Sequence, residues 1–200
     1  MDADASDGVL ARSAAEGDER AFAVLVNRHK ESLYRLLWRY CGSADEAYEA
    51  VQEAFIAAWS ALSRYDPERS FAAWLRTIAI NKARDRGRRM MVRKLIFGSS
   101  ALDEPQALAV PAPGPSAEAH VLEEEQAKRL DRAVSRLPSA LKEALLLTAL
   151  EGLTQSEAGQ ILGVSVKTIE TRVYRAKKLL AQQLDADLRP SAFGSQGRSG

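Results

Sequence analysis

Apolar positions recur three and four residues apart through most of this chain, and no stretch alternates as a strand does. Phe22, Leu25 and Val26 begin one run, and Leu33, Leu36, Leu37 and Tyr40 predict a second helix after it. Ala47, Val51, Ala54, Phe55, Ala58, Trp59 and Leu62 predict a third helix; Phe71, Trp74, Leu75, Ile78 and Ala79 predict a fourth. Further on, Leu130, Val134 and Leu137 lead to Pro138. Ser139 then stands as the cap of a helix over 140–151 that carries Leu141, Leu145 and Thr148 inward. The pattern is that of an all-α protein.

One stretch breaks the periodicity. Residues 98–120, GSSALDEPQALAVPAPGPSAEAH, hold Pro105, Pro111, Pro113 and Pro115, which oppose regular helix and favour extended backbone. Its small side chains cannot build a core. It reads as a flexible, acidic Pro/Ala-rich linker between two small helical domains, 15–97 and 121–185. Residues 1–14 read as a flexible N-terminus and 186–200 as a frayed tail.

The most specific local signal is LTQSEAGQILGVSVKTIETRVYRAKKLL, residues 153–180. A short helix ends at Gly163, where a positive φ costs glycine nothing. Ser165 then caps a second helix. Ile161, Leu162, Val164, Ile169 and Val173 supply the apolar contact between the two helices. Ser165, Lys167, Glu170, Thr171, Tyr174 and Arg175 are left facing outward. That layout is a helix-turn-helix whose second helix fits the DNA major groove.

Composition narrows the class further. No apolar run approaches the roughly 20 residues needed to cross a bilayer, so membrane insertion is not expected. The acidic, small-residue start resembles neither a secretory signal nor a transit peptide, which makes the cytoplasm the simplest location. Cys41 is the single cysteine, so an internal disulfide and a cysteine zinc cluster are excluded. A helix-surface reading suits His29 and a buried small-thiol reading suits Cys41. No metal site, cofactor or catalytic constellation is expected: there is no phosphate-cradling Gly-rich loop and no nucleophile–base spacing.

Net charge is only +1, but its distribution is uneven. Lys82, Arg84, Arg86, Arg88, Arg89, Arg93 and Lys94 face Asp85 alone, whereas 98–126 contains no Lys or Arg. Basic character returns over 128–178. Two basic surfaces with an acidic spacer suggest two contacts on one nucleic acid. On the third helix, Asp45, Glu49, Gln52, Glu53 and Ile56 lie away from the Val51–Phe55–Trp59 stripe, as either a solvated acidic face or a protein-docking surface. The polar loop RYDPERS, 64–70, precedes a helix presenting Asn81, Lys82 and Arg84. Such a pair suits unpaired bases held beside a phosphate backbone.

Taken in order, these residues resemble a bacterial sigma-70-family factor of the extracytoplasmic-function type, reduced to region two and region four. HKESLYRLLWRYCGSADEA, AVQEAFIAAW, SFAAWLRTIAINKARDRGRR and LPSALKEALLLTALEGLTQSEAGQILGVSVKTIETRVYRAKKLL carry the resemblance. It implies a promoter-specificity subunit with core RNA polymerase, promoter DNA and an anti-sigma factor as partners, the last holding the chain at the inner membrane face. Asp45, Glu49, Gln52, Glu53 and Ile56 would dock the polymerase. Arg64, Tyr65, Asp66 and Ser70 with Asn81 would capture a base flipped from the minus-ten strand. Lys82, Arg84, Arg86, Arg88 and Arg89 would hold the adjacent backbone. Ser165, Glu170, Thr171, Tyr174 and Arg175 would face the minus-thirty-five element, with Lys167, Arg172, Lys177 and Lys178 mostly at phosphates or neighbouring acids.

Three departures stand out. Tyr48 and Ala50 occupy places where the family commonly has an acidic residue and a leucine. Ala158–Gly159 replaces a larger aliphatic plus alanine. Glu170 stands where a basic or small polar residue is common, and either accepts from a cytosine amino group or pairs with Lys167 or Arg172. Two other classes remain in view: a stand-alone helix-turn-helix regulator reading paired half-sites, and an adaptor that sequesters another protein through the acidic third helix.

Overall fold

The computed structural model describes residues 5–97 and 117–188, and the described residues contain helices and turns without strands. The elements are α1 (Asp7–Ala15), α2 (Glu19–Cys41), α3 (Ala44–Ala61), α4 (Phe71–Phe97), α5 (Ala117–Ser135), α6 (Ser139–Leu145), α7 (Gln155–Leu162) and α8 (Val166–Leu188). Most of the expected linker lies outside the described residues, and its last part is already the start of α5.

The first bundle packs α2, α3 and α4 against one another. Leu25, Leu33, Leu36 and Leu37 from α2 meet Ala47, Val51, Ala54, Phe55 and Ala58 from α3, and Phe71, Leu75 and Ala79 from α4. Alanines every three or four residues along α3 leave room for the bulkier neighbours, so the helices approach closely. Two expectations need correction. Phe22 and Tyr40 belong to one continuous helix, started by Asp18, whose carboxylate accepts from the amides of Arg20 and Ala21. The supposedly flexible start contains α1, with Leu10, Ala11 and Ala14 buried against the bundle.

In the second bundle α6 and α8 make the main contact, and α5 closes over α8. Ser139 does not cap α6: Pro138 is the cap residue, and no side chain bonds the free amides there. The helix expected over 140–151 also changes winding, passing into a π-helical turn at Leu146–Leu150.

The two bundles share core. Ile80 of α4 is buried with Ala144, Leu147, Ala158, Ile161, Leu162 and Ile169 of the second bundle. Two charged residues, Lys142 and Glu143, are buried at the same junction. Lys142 Nζ donates to the carbonyls of Tyr40 at 2.8 Å and Ser135 at 2.7 Å, and lies 5.1 Å from the centre of the Tyr40 ring. A buried ammonium tolerates that place because its donors are used.

Candidate nucleic-acid interface

Local chemistry fixes the helix-turn-helix. Thr154 Oγ1 accepts from the Glu157 amide at 3.2 Å, and Glu157 returns the bond to the Thr154 amide at 2.8 Å, a capping box that opens α7. Thr154 Oγ1 also donates to the Glu157 carboxylate at 2.7 Å, and this bond, then that from the Thr154 amide, holds the carboxyl below the usual carboxylate range. Gly163 ends α7 with φ at 67°, the left-handed conformation expected of it. Gly159 has a different reason to be glycine. A Cβ there would stand 2.8 Å from the carbonyl oxygen of Val164, so the bare backbone lets the turn close against α7. Ser165 Oγ accepts from the Thr168 amide at 3.2 Å and starts α8 as expected.

Ile169 is fully buried under this turn, and the outward face is the expected one. Ser165, Lys167, Thr171, Tyr174, Arg175, Lys177 and Lys178 are exposed, with Tyr174 at 69%. Arg172 is half-buried and lines a cleft of about 690 Å³ between the bundles, opposite Arg84, Arg86 and Arg88. Glu170 bonds Lys167 at 2.9 Å, which raises the lysine above its ordinary range. Both side chains remain solvated, and a pair of that kind contributes little to stability. The surface pairing is therefore formed and leaves Glu170 available for exchange with a base.

The loop between α3 and α4 is tightly organised. Asp66 Oδ1 accepts from the Glu68 amide at 3.1 Å, Asp66 pairs with Arg69, and Ser70 Oγ accepts from the Ala73 amide at 3.3 Å to cap α4. Arg64, Asp66, Ser70 and Asn81 are exposed. Tyr65 is not at the surface. It is 8% exposed, its ring packs against Phe71 and Trp74, and its hydroxyl donates to the Arg69 carbonyl at 2.6 Å. Burial, then the carboxylates of Asp7, Asp66 and Glu68, raise its pKa.

The cations of α4 divide by environment. Lys82 is half-buried in a cleft with Arg64 and Arg89. Arg84 bonds Glu143 of α6, and Arg86 bonds both Glu49 and Glu53 of α3. Arg88 pairs with Asp85, and Arg89 reaches Glu53 at 3.6 Å. Of these, Arg84 must exchange a buried partner to follow a backbone, whereas the acids that hold Arg86, Arg88 and Arg89 are themselves at least partly solvated.

On the outer face of α3, Asp45, Glu49, Gln52 and Ile56 are exposed and Glu53 is half-exposed. Tyr48 joins them at 60% exposure and Ile56 reaches 68%, so the acidic face carries a real apolar component. In the sequence Tyr48 stands out only as a departure from the family pattern. Trp59 was placed in the inward stripe, but it is 38% exposed while stacking edge-on against Phe22 at 4.9 Å. His29 is likewise not a solvated surface residue. Its Nε2 lies 2.8 Å from Asp7 Oδ2, and its ring is 5.4 Å from that of Phe71.

Sequence reasoning missed the charged junction. Arg76 pairs with Glu151, Arg39 with Asp131, and Tyr40 donates to Glu143 at 3.1 Å. The signal available was weak: Lys142 and Glu143 interrupt an otherwise apolar ALKEALLL segment on its buried side. Tyr40, a partner of both, lies about a hundred residues away and Arg84 about sixty, beyond the reach of local pattern.

The relatives of the chain agree with this geometry. The sigma-70 region 2 family model matches residues 25–91, and the sigma-70 region 4 model matches 127–180. RNA polymerase sigma factor CnrH of Cupriavidus metallidurans is 37% identical over 190 residues, spanning 94% of this chain and 98% of that protein. The extracytoplasmic-function sigma factor SigW of Bacillus subtilis is 31% identical over 84% of this chain and 91% of its own length. The solved structure of CnrH with the cytosolic domain of CnrY is similar at a TM-score of 0.65 and 34% identity, covering 93% of this chain and 99% of that one. Regions two and four, the helix-turn-helix and the acidic helix therefore fall in one known order, and the chain belongs to the extracytoplasmic-function group of the sigma-70 family, the factors that direct RNA polymerase to promoters.

Proposed function

We propose that this factor docks on core RNA polymerase through the outer face of α3, using Asp45, Glu49, Gln52, Glu53 and Ile56, with Tyr48 added to that surface. The loop residues Arg64, Asp66 and Ser70, with Asn81, hold a flipped base of the minus-ten strand, while Tyr65 shapes the loop from beneath. Flipping costs a few kcal/mol, which the loop contacts must offset. Lys82, Arg84, Arg86, Arg88 and Arg89 serve the neighbouring backbone. Arg84 and Arg86 do so only after exchanging Glu143, Glu49 and Glu53 for phosphate.

On α8, Thr171, Tyr174, Arg175 and Glu170 read the minus-thirty-five bases, and Ser165, Lys167, Arg172, Lys177 and Lys178 position the helix on phosphates. The chain acts by binding and not by catalysis. Among the described residues no helix is long and apolar enough to cross a membrane, and no cluster of three metal-ligating side chains occurs. CnrH is known in complex with the cytosolic domain of CnrY, and a comparable cytosolic anti-sigma domain suits this chain, which supports a cytoplasmic location.

The observation that carries this reading is the coexistence of two exposed faces of opposite character: acidic and apolar on α3, basic and aromatic on α8. A stand-alone regulator has use for the second only. The test is run-off transcription with purified chain and core polymerase, followed by sequencing of the DNA that the holoenzyme selects. Initiation at sites with two spaced elements is the expected result. No polymerase association, with tight independent binding to a palindrome, would overturn it.

A further inference from the structure

The role of α1 follows from what it touches. Gly8 lies at its second position, and a Cβ built there would stand 2.8 Å from the carbonyl oxygen of Pro67, in the middle of the loop between α3 and α4. That contact is backbone against backbone, so neither side can rotate away. Asp7, the residue before it, fastens α1 to α2: Oδ1 accepts from Arg28 and Oδ2 meets His29 Nε2 at 2.8 Å. Arg28 also donates to the Ala5 carbonyl at 3.1 Å.

A second line of contact runs from the same clasp to the same loop. The His29 ring lies 5.4 Å from Phe71, Phe71 lies 5.5 Å from Tyr65, and Tyr65 closes the loop on the Arg69 carbonyl. The loop is therefore held from behind at Pro67 and from below at Tyr65. Its other face, with Asp66, Glu68, Arg69 and Ser70, is left to solvent.

We infer that α1 is the backstop of this loop, with Gly8 and Asp7 as positioning residues that set its shape for minus-ten base selection. The inference rests on the proposal that the loop meets the minus-ten strand. A recognition loop discriminates only if its groups are held to within a fraction of an ångström. Gly8 permits the close seat and Asp7 fixes the helix that offers it.

The test uses holoenzyme formed from core polymerase and full-length chain, with promoter pools randomised separately in the minus-ten and minus-thirty-five elements. Gly8→Ala installs a better helix former, so lost helicity of α1 cannot explain its effect. It should flatten minus-ten base preference by up to about tenfold, one modest base contact's worth, while the minus-thirty-five profile and core affinity stay as in the parent. Asp7→Asn should shift the same positions more weakly, and it decides the matter if Gly8→Ala does not assemble. Asp66→Ala serves as the loop control. If Asp66→Ala alters the minus-ten profile and neither α1 variant does, the backstop role is wrong and the loop reading stands. If none of the three alters it, the loop does not read bases and both ideas fall. Equal weakening at both elements would also overturn the backstop, since it would mark a general loss of stability.

Discussion

Arg84 of α4 and Glu143 of α6 form a two-pronged ion pair across the junction of the bundles, Nε donating to Oε1 at 2.7 Å and Nη2 to Oε2. The Glu143 side chain is 2% exposed and also accepts from Tyr40, so its charge is almost fully compensated inside the protein. That bond to Glu143 raises the Arg84 pKa above its ordinary value. A carboxylate and a phosphate engage a guanidinium in the same forked way. The pair and the proposed minus-ten backbone contact would therefore compete for one side chain.

Glu143→Gln keeps the shape and removes the charge. It should lower folding stability by about 1–3 kcal/mol, as loss of a charged buried partner does. It should also raise the affinity of the isolated chain for a single-stranded minus-ten oligonucleotide, with a steeper salt dependence. Urea unfolding and fluorescence anisotropy measure the two effects. Lower stability with unchanged oligonucleotide affinity would take Arg84 out of the DNA contact.

Within α8, base contacts and phosphate contacts should separate on substitution. Arg175→Ala should lower discrimination at one minus-thirty-five position by about 1–3 kcal/mol, the value of a bidentate base contact. Lys177→Ala and Lys178→Ala should weaken all sequences alike and reduce the salt slope. Glu170→Gln breaks only a solvated pair with Lys167, so it should leave stability nearly unchanged. A changed base preference in that variant, read by selection from a randomised element, would assign Glu170 to cytosine recognition.

The docking face proposed on α3 is best tested at Ile56. Glu49 and Glu53 hold Arg86, so charge reversal there disturbs the chain as well as any partner. Ile56 is 68% exposed. Ile56→Asp should leave thermal unfolding unchanged and weaken core polymerase binding by about 1–3 kcal/mol, as loss of an apolar interface anchor does. Glu49→Lys and Glu53→Lys should weaken it further, with some loss of stability through Arg86. Unchanged affinity for Ile56→Asp in a pull-down titration would move the docking surface elsewhere.

Much of this was legible because it is local. Gly163 and Ser165 mark the turn of the helix-turn-helix by chemistry that acts within three residues, and the buried stripe of α3 follows from one helix period. The unread parts depend on distant partners. Helix α1 is short and rich in small residues, and it is buried by packing on α2 and, at Gly8, by a loop some sixty residues away. Gly159 reads from local sequence only as a departure, because the Val164 carbonyl that needs its space comes from the far side of the turn. Lys142 and Glu143 carry no local sign of burial, since nothing nearby announces Tyr40 or Arg84. The Ser139 cap failed because Pro138, one residue earlier, already occupies the cap position.

Cys41 yields a prediction about alkaline pH. Burial, and then the carboxylate of Glu46, push its thiol from the ordinary 9.0 up to about 12, against smaller lowering effects of Lys142 and Arg86. A thiol with a raised folded-state pKa holds its proton more tightly when folded. The stability it contributes is full below 9.0, and it is lost as pH climbs from 9.0 towards about 12, where the unfolded chain has already ionised. Tyr40, raised by burial and by Glu143, acts in the same direction, whereas Lys142, lowered by burial, opposes them. Native Cys41 should therefore resist iodoacetamide at pH values where a free thiol reacts readily, and become reactive on unfolding in urea. Cys41→Ala should make the alkaline fall in stability shallower without removing it, because Tyr40 remains. Rapid alkylation of the folded chain near pH 9.0 would show that the thiol is not held in this way.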